Sequence, residues 1–161
     1  MIISWISKVI ILITAFTVGH TSTLVLATFN IISINTDLVE FLIPLTIFIT
    51  ALFNVIYNNE SFNRNLHLIK YVAAMAFGFI HGLGFSNYLK SLLGSEKSII
   101  ASLFAFNLGI ELGQVMIVLI IMLITWLTVT ILKTKRREWN LILAGAAMGI
   151  SLILMMERFP F

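Results

Sequence analysis

The sequence contains no cysteine, and only 11% of its 161 residues are charged. The absence of cysteine excludes disulfide bonds, thiolate metal ligands and cysteine nucleophiles. The low share of charge stands beside 60% hydrophobic residues and a mean hydropathy of +1.06, a balance that excludes an ordinary soluble domain of this size. We therefore predict an integral membrane protein in contact with membrane lipids.

The apolar residues fall into runs near the length of about 20 residues that a helix needs to cross the hydrocarbon core. Because no water is present there to satisfy the edges of strands, the runs are predicted to be helices. The expected fold is all-α, a polytopic transmembrane helical bundle that forms a single domain over residues 1–161. Its five predicted spans cover residues 2–32, 38–56, 69–93, 98–132 and 139–156. The fourth span exceeds the thickness of the bilayer core, so we expect it to tilt, protrude or break near its glycines.

The basic residues indicate how the chain is oriented. With a cytoplasmic N-terminus, more of them fall on the cytoplasmic side than outside, which is the usual distribution. The cytoplasmic set is Lys8, Arg64, Lys70, Lys133, Lys135, Arg136 and Arg137, and the outer set is Lys90, Lys97 and Arg158. We predict a cytoplasmic N-terminus and an outer C-terminus. Because the ends of the spans account for the basic residues, the net charge of +3 does not indicate nucleic-acid binding.

One ionisable side chain, Glu111, lies deep inside the fourth span. A charge at bilayer depth costs about 2.5–3.5 kcal/mol on insertion scales, so such residues normally face the interior of a bundle and mark a site or pathway. Asn107, Glu111 and Gln114 share one stripe of the helix, at positions i, i+4 and i+7. Gly109 and Gly113 lie on the opposite side at the spacing of a helix-packing motif.

Three further ionisable residues lie within the predicted spans. His20 and His81 fall in the middle third of their spans, at the depth of Glu111, whereas Glu40 lies in the first turn of the second span near the outer surface. Imidazole, carboxylate and amide ligands suit a borderline divalent cation such as nickel, cobalt or zinc, and a site without thiols disfavours Cu(I). His67 is set aside because it lies in a predicted polar loop.

A structural role is the alternative for the same residues. The histidines would then form hydrogen bonds with Thr17, Thr23 or the backbone, and a neutral Glu111 would pair with Gln114. The two readings differ in where the side chains meet. If the residues form a cation site, His81 and Glu111 must approach each other, with His20 reaching them from the first span.

The third and fourth spans are joined by only a few residues, so they are expected to be antiparallel neighbours. Counted from that connection, His81 and Glu111 lie at similar depth. Small residues allow helix backbones to approach closely in lipid, and we therefore expect four glycines at helix contacts. These are Gly78, Gly82, Gly109 and Gly113.

Four segments resemble, in order along the chain, the successive signatures of the HupE/UreJ family. They are Thr-Ala-Phe-Thr-Val-Gly-His-Thr-Ser-Thr-Leu at 14–24, Val-Glu at 39–40 with Pro-Leu-Thr-Ile at 44–47, Phe-Gly-Phe-Ile-His-Gly-Leu-Gly-Phe at 77–85 and Phe-Asn-Leu-Gly-Ile-Glu-Leu-Gly-Gln at 106–114. Members are small polytopic bacterial membrane proteins, regarded as nickel or cobalt permease-like and associated in some bacteria with hydrogenase or urease maturation. The resemblance implies a place in the bacterial cytoplasmic (inner) membrane. It also implies that the functional polar positions are His20, Glu40, His81, Asn107, Glu111 and Gln114, the set that burial selects.

The sequence departs from the family pattern at its N-terminus. Family members usually carry, before the first of these signatures, a further span with a histidine and an Asp-His pair. Here the chain begins shortly before the first signature, and it is expected to lack that span.

The leading functional hypothesis is a divalent metal cation permease, for nickel or cobalt, or a membrane metal-binding protein. The hydrated cation would bind through His20, His81 and Glu111, with Asn107 and Gln114 as polar lining. An intramembrane zinc-dependent hydrolase is less favoured, because it needs three protein ligands and the spans offer two histidines. A non-catalytic membrane scaffold, in which the polar residues only hold helices together, is the third hypothesis. The sequence leaves open whether the protein forms a homo-oligomer.

Overall fold

The computed structural model describes residues 2–56, 64–93 and 99–160. Within these residues the chain forms five α-helices and no strand: α1 (Ile2–Thr28), α2 (Thr36–Ile56), α3 (Arg64–Leu93), α4 (Ile99–Trp126) and α5 (Arg136–Glu157). Each helix contains a segment long and apolar enough to cross a membrane. The prediction of an all-α polytopic bundle with about five spans is confirmed. The single domain over residues 1–161 stays a prediction.

The first helix ends earlier than the predicted span. Asn30 has a positive φ of 57°, a conformation that asparagine tolerates better than most residues. The N–H of Asn30 donates to the carbonyl of Ala27 at 3.0 Å, and the N–H of Ile31 donates to that of Leu26 at 2.9 Å. This pair of hydrogen bonds is a Schellman motif, which satisfies the last carbonyls and stops α1 at Thr28.

Two other boundaries differ from the expectation. α3 begins at Arg64, so residues 64–68, predicted to be loop, are helical. α4 continues unbroken through its glycines to Trp126 and passes into a π-helical turn over Leu127–Ile131. Of the three expected ways for the long span to fit the membrane, a break near the glycines is absent from α4. The irregular backbone lies instead at its C-terminal end, and π-turns are known to occur at helix C-termini.

α1 and α3 pack closely through glycines. A methyl group added to Gly78 would overlap the carbonyl oxygen of Phe16, and one added to Gly82 would overlap that of His20. Gly19 of α1 meets the backbone of Met75 in the same way. Backbones can come this near only where a side chain is missing, so the prediction that Gly78 and Gly82 lie at helix contacts is confirmed.

The prediction is wrong for the two glycines of α4. A methyl group added to Gly109 or Gly113 would meet no atom within 4 Å among the described residues, apart from their own stretch of helix. α4 instead uses another side to meet its neighbours. Leu103 joins Leu24 of α1 and Leu89 of α3 in a buried apolar cluster, and Phe85 of α3 lies 6.0 Å from Phe106 between ring centroids.

α2 packs against α5 and, with its N-terminal half, against α3. A methyl group added to Gly84 of α3 would overlap the side chain of Ile43 of α2. At the other face of α2, the ring of Phe41 lies 5.7 Å from that of Phe159, edge to face. The start of α2 thus meets the end of α5, which makes these two helices antiparallel, as expected for spans two and five.

Candidate functional site

His20 is the most deeply buried of the predicted site residues, with 1% of its surface exposed. Its ring is stacked on Phe16 at 6.0 Å, and Phe85 of α3 approaches it edge-on at 5.6 Å. Neither ring nitrogen has a hydrogen-bond partner among the residues that the structure describes. A buried polar group without a hydrogen-bond partner costs free energy, so the burial of this imidazole lowers the stability of the fold.

His81 lies beside the same phenylalanine. Its ring meets that of Phe16 at 5.2 Å, edge to face, so one aromatic ring touches both intramembrane histidines. The Nδ1 of His81 lies 2.8 Å from the carbonyl oxygen of Phe77. Because a carbonyl only accepts, Nδ1 carries the hydrogen, and the neutral ring keeps its lone pair on Nε2. Metal-binding histidines are usually oriented in this way by a bond from their other nitrogen.

A cleft of about 490 Å³ separates α1 from α4. Phe29 and Ile100 line it at one end, near the end of α1 and the start of α4, and Glu111 lies deeper along α4. Thr21 bridges the two helices inside the cleft by donating to Oδ1 of Asn107 at 2.9 Å. Glu111 is exposed to the cleft rather than enclosed by the bundle.

Two more oxygens belong to this region. Oγ1 of Thr17, which lines the cleft, and Oε1 of Gln114, on the same stripe of α4 as Glu111, are buried. Neither has a hydrogen-bond partner within residues 2–56, 64–93 and 99–160. The polar residues of α1, α3 and α4 therefore form two neighbouring groups, one of imidazole nitrogens and one of oxygens.

The structure brings together some of the predicted ligands and separates others. His20 and His81 meet around Phe16, while Asn107 and Glu111 lie in the neighbouring cleft. In the part of the chain that the structure describes, no three His, Asp or Glu side chains are grouped closely enough to hold one metal ion. The geometry thus places two imidazoles beside one phenylalanine, and a metal site, with or without Glu111, stays a prediction.

The sequence model of one family, described as HupE / UreJ protein, matches residues 1–158, essentially the whole chain. The chain belongs to the HupE/UreJ family. At the level of the family, this membership supports a multi-pass membrane protein related to nickel or cobalt transport. No curated protein and no solved structure matches the chain.

In this HupE/UreJ protein the four signature segments lie one on each of α1 to α4. The first and third meet directly, because Gly82 packs against the backbone at His20. The fourth joins them through the ring contact of Phe85 with Phe106. Segments that are far apart in sequence therefore surround the buried His20.

The second HupE/UreJ segment has a different setting. Glu40 forms an ion pair with Arg158 at the end of α5, and both side chains are partly exposed. This pair lies at the level of the helix ends, whereas His20 lies two turns inside α1 from Thr28. Glu40 therefore stands apart from the histidine pair.

The alternative structural reading of the histidines fits one of them. His81 forms a hydrogen bond with the backbone carbonyl of Phe77 in its own helix, as that reading expects. His20, in contrast, bonds to neither Thr17 nor Thr23. The hydroxyl of Thr23 instead contacts the carbonyl oxygen of Phe79 at 2.8 Å. Phe16 was not among the predicted site residues, although it lies one helical turn before His20, where side chains of a helix meet.

Thr21 was also not predicted as a site residue. Its separation from Thr17 is four residues, the same as that of Asn107 from Glu111, so each helix carries a polar stripe. Matching stripes on two helices were the signal available in the sequence. That the stripes face each other is known only from the structure.

Proposed function

We propose that this HupE/UreJ protein binds a divalent metal cation, nickel or cobalt, in the interior of the bundle and acts as a metal-cation permease or a membrane metal-binding protein. The observation that carries the proposal is the buried imidazole of His20, whose two nitrogens have no partner among the described residues. A cation bound to one of them would satisfy the lone pair of that nitrogen.

The donor chemistry fits such a cation. Imidazole nitrogen suits nickel, cobalt and zinc, and the chain has no cysteine to favour Cu(I). His20 and His81 supply two imidazoles that both pack against Phe16. The bond from His81 Nδ1 to Phe77 leaves Nε2 as the donor atom. We place the cation with this pair and leave Glu40, which is paired with Arg158, outside the centre.

Asn107, Glu111 and Gln114 enter the proposal as polar lining beside the centre. Asn107 and Glu111 line the cleft between α1 and α4, which begins near the helix ends at Phe29 and Ile100. The carboxylate of Glu111 lies at bilayer depth, where polar residues commonly mark an ion pathway.

Metal binding is tested on the purified full-length protein in detergent. Ni²⁺, Co²⁺ or Zn²⁺ should raise the unfolding temperature, because a ligand that binds only the folded state stabilises it. The rise should be lost in His20→Gln and in His81→Gln. It should persist in His67→Gln, which removes the same type of side chain in the first turns of α3, about four turns before His81.

Uptake of radioactive nickel or cobalt into cells that express each variant separates a permease from a protein that only binds metal. If both intramembrane histidine variants keep the metal-induced stabilisation of the unmodified protein, the proposed centre is wrong. Absence of any metal effect on the unmodified protein would favour the scaffold instead. Metal-dependent cleavage of a lipid-like substrate by the unmodified protein, lost in the same two variants, would favour the hydrolase.

A further inference from the structure

The cleft between α1 and α4 has more hydrogen-bond acceptors than free donors. The hydroxyl hydrogen of Thr21 is used on Asn107, and the amide group of Asn107 donates to the carbonyl of Leu103 at 3.0 Å. The oxygens that remain are those of the Glu111 carboxylate and the Thr17 hydroxyl, with the second lone pairs of Thr21 and Asn107. The donors that remain among the described lining residues are the O–H of Thr17 and the second N–H of Asn107. Gln114 adds a buried amide oxygen on the same stripe of α4.

We propose that this cleft binds Na⁺ through oxygen ligands at a site separate from the two histidines. Hard cations prefer carboxylate, amide and hydroxyl oxygens, whereas imidazole nitrogens attract borderline transition metals. The two groups of polar residues therefore match two classes of cation. Carboxylate, amide and hydroxyl oxygens line the cleft, and the imidazoles of the neighbouring group pack against Phe16.

The charge of the cleft favours a monovalent ion over a divalent one. Among the described residues that line it, Glu111 is the single charged side chain. One carboxylate neutralises Na⁺, but it would leave a net positive charge beside Mg²⁺ or Ca²⁺ at a depth where uncompensated charge is costly. Mg²⁺ would also retain several waters, which the apolar walls formed by Leu103, Phe104 and Leu108 cannot bond.

A proton is a poorer occupant than Na⁺. A protonated Glu111 could donate one hydrogen bond and would leave the other acceptors of the cleft as they are. Na⁺ is coordinated by several oxygens at once, so in the cleft it would bind the buried oxygen of Thr17 together with the carboxylate of Glu111. The inference concerns atoms other than the histidine nitrogens, so it does not depend on the proposed function.

The test uses the purified full-length protein with a chelator that removes divalent metals. Unfolding temperatures are measured in NaCl, KCl and choline chloride at equal ionic strength. We expect NaCl to raise the unfolding temperature by roughly 2–8 °C over choline chloride, and KCl to raise it less. Thr17→Val and Glu111→Gln should abolish the difference. Thr128→Val is the matched control, because its hydroxyl bonds to Ile124 of its own helix outside the cleft, and it should keep the full Na⁺ effect.

The histidine variants decide whether the sites are separate. His20→Gln should lose stabilisation by Ni²⁺ but keep stabilisation by Na⁺. Equal unfolding temperatures in all three salts would overturn the proposal, as would a Na⁺ effect that survives both cleft substitutions. Dependence on pH without dependence on Na⁺ would assign the cleft to a proton and overturn it too. Failure of Ni²⁺ binding with an intact Na⁺ effect would contradict only the proposed function.

Discussion

His20 and Thr23 are polar residues of the same helix that are both buried but bonded differently. The hydroxyl of Thr23 lies within hydrogen-bond distance of the carbonyls of Gly19, His20 and Phe79. The imidazole of His20 has no such partner among the described residues. A buried polar group that is satisfied inside the fold has a structural role, whereas one that is not satisfied is available for a ligand.

Thr23→Val should destabilise the protein. The substitution removes the hydroxyl that links α1 to the carbonyl of Phe79, and hydrogen bonds between membrane helices contribute about 0.6–2 kcal/mol. We expect a loss of about 1 kcal/mol in the free energy of unfolding, measured by denaturation in mixed micelles. Thr50→Val is the control, because its hydroxyl bonds to Thr46 within α2, and it should change stability by less. Equal effects of the two substitutions would show that the bond between helices contributes nothing measurable.

At the scale of the helices, the glycines of α3 and α4 have similar spacing but different surroundings. Gly78 and Gly82 lie against the backbone of α1, and Gly109 and Gly113 have no neighbouring helix among the described residues. Close approach of two backbones improves dispersion contacts in lipid, where the hydrophobic effect does not drive helices together. The same four-residue spacing therefore stabilises one helix pair and leaves one side of α4 free of such contacts.

Alanine substitution should distinguish the two pairs of glycines. The added methyl group in Gly78→Ala overlaps the carbonyl oxygen of Phe16, and overpacking of this kind typically costs about 1–3 kcal/mol. Gly109→Ala meets nothing within 4 Å among the described residues, and alanine is the better helix former by about 1 kcal/mol. We expect the first substitution to lower the free energy of unfolding in micelles and the second to leave it unchanged or raise it. The reverse order would contradict the packing of α1 on α3.

The contact between α2 and α5 includes the ion pair of Glu40 with Arg158. The two side chains are 41% and 56% exposed, so solvent screens their attraction. A double-mutant cycle with Glu40→Gln, Arg158→Gln and the double variant should give a coupling energy of about 0.2–1 kcal/mol. Unfolding of the four proteins under the same conditions measures it. A coupling energy above about 2 kcal/mol would mean that the pair is shielded from water in the membrane.

For the whole molecule, an odd number of spans places the two chain termini on opposite sides of the membrane. The connection between α1 and α2 then lies on the same side as the end of α5, which agrees with the ion pair between Glu40 and Arg158. The distribution of basic residues predicts which side is cytoplasmic. The arrangement of the helices does not show which side is cytoplasmic, because the same bundle can be inserted in either direction.

Cysteine labelling tests the orientation against a clean background, because the chain has no cysteine. Ser33→Cys, in the exposed connection after α1, should react with a membrane-impermeant maleimide in intact spheroplasts. Lys135→Cys, in the exposed connection before α5, should react only after the membrane is permeabilised. Labelling of Lys135→Cys in intact spheroplasts would place the N-terminus outside.

The amino-acid sequence by itself determined the number of spans, the family and the residue types that can carry function. These depend on local properties, namely the length of apolar runs and the depth of each polar residue within them. Only the tertiary structure decided which of these residues meet. It placed His20 and His81 around one phenylalanine, Glu111 in the cleft beside α1, and Gly78 but not Gly109 at a helix contact. Helical periodicity shows which residues share a face, but the neighbour of that face depends on the fit between surfaces that are distant in sequence.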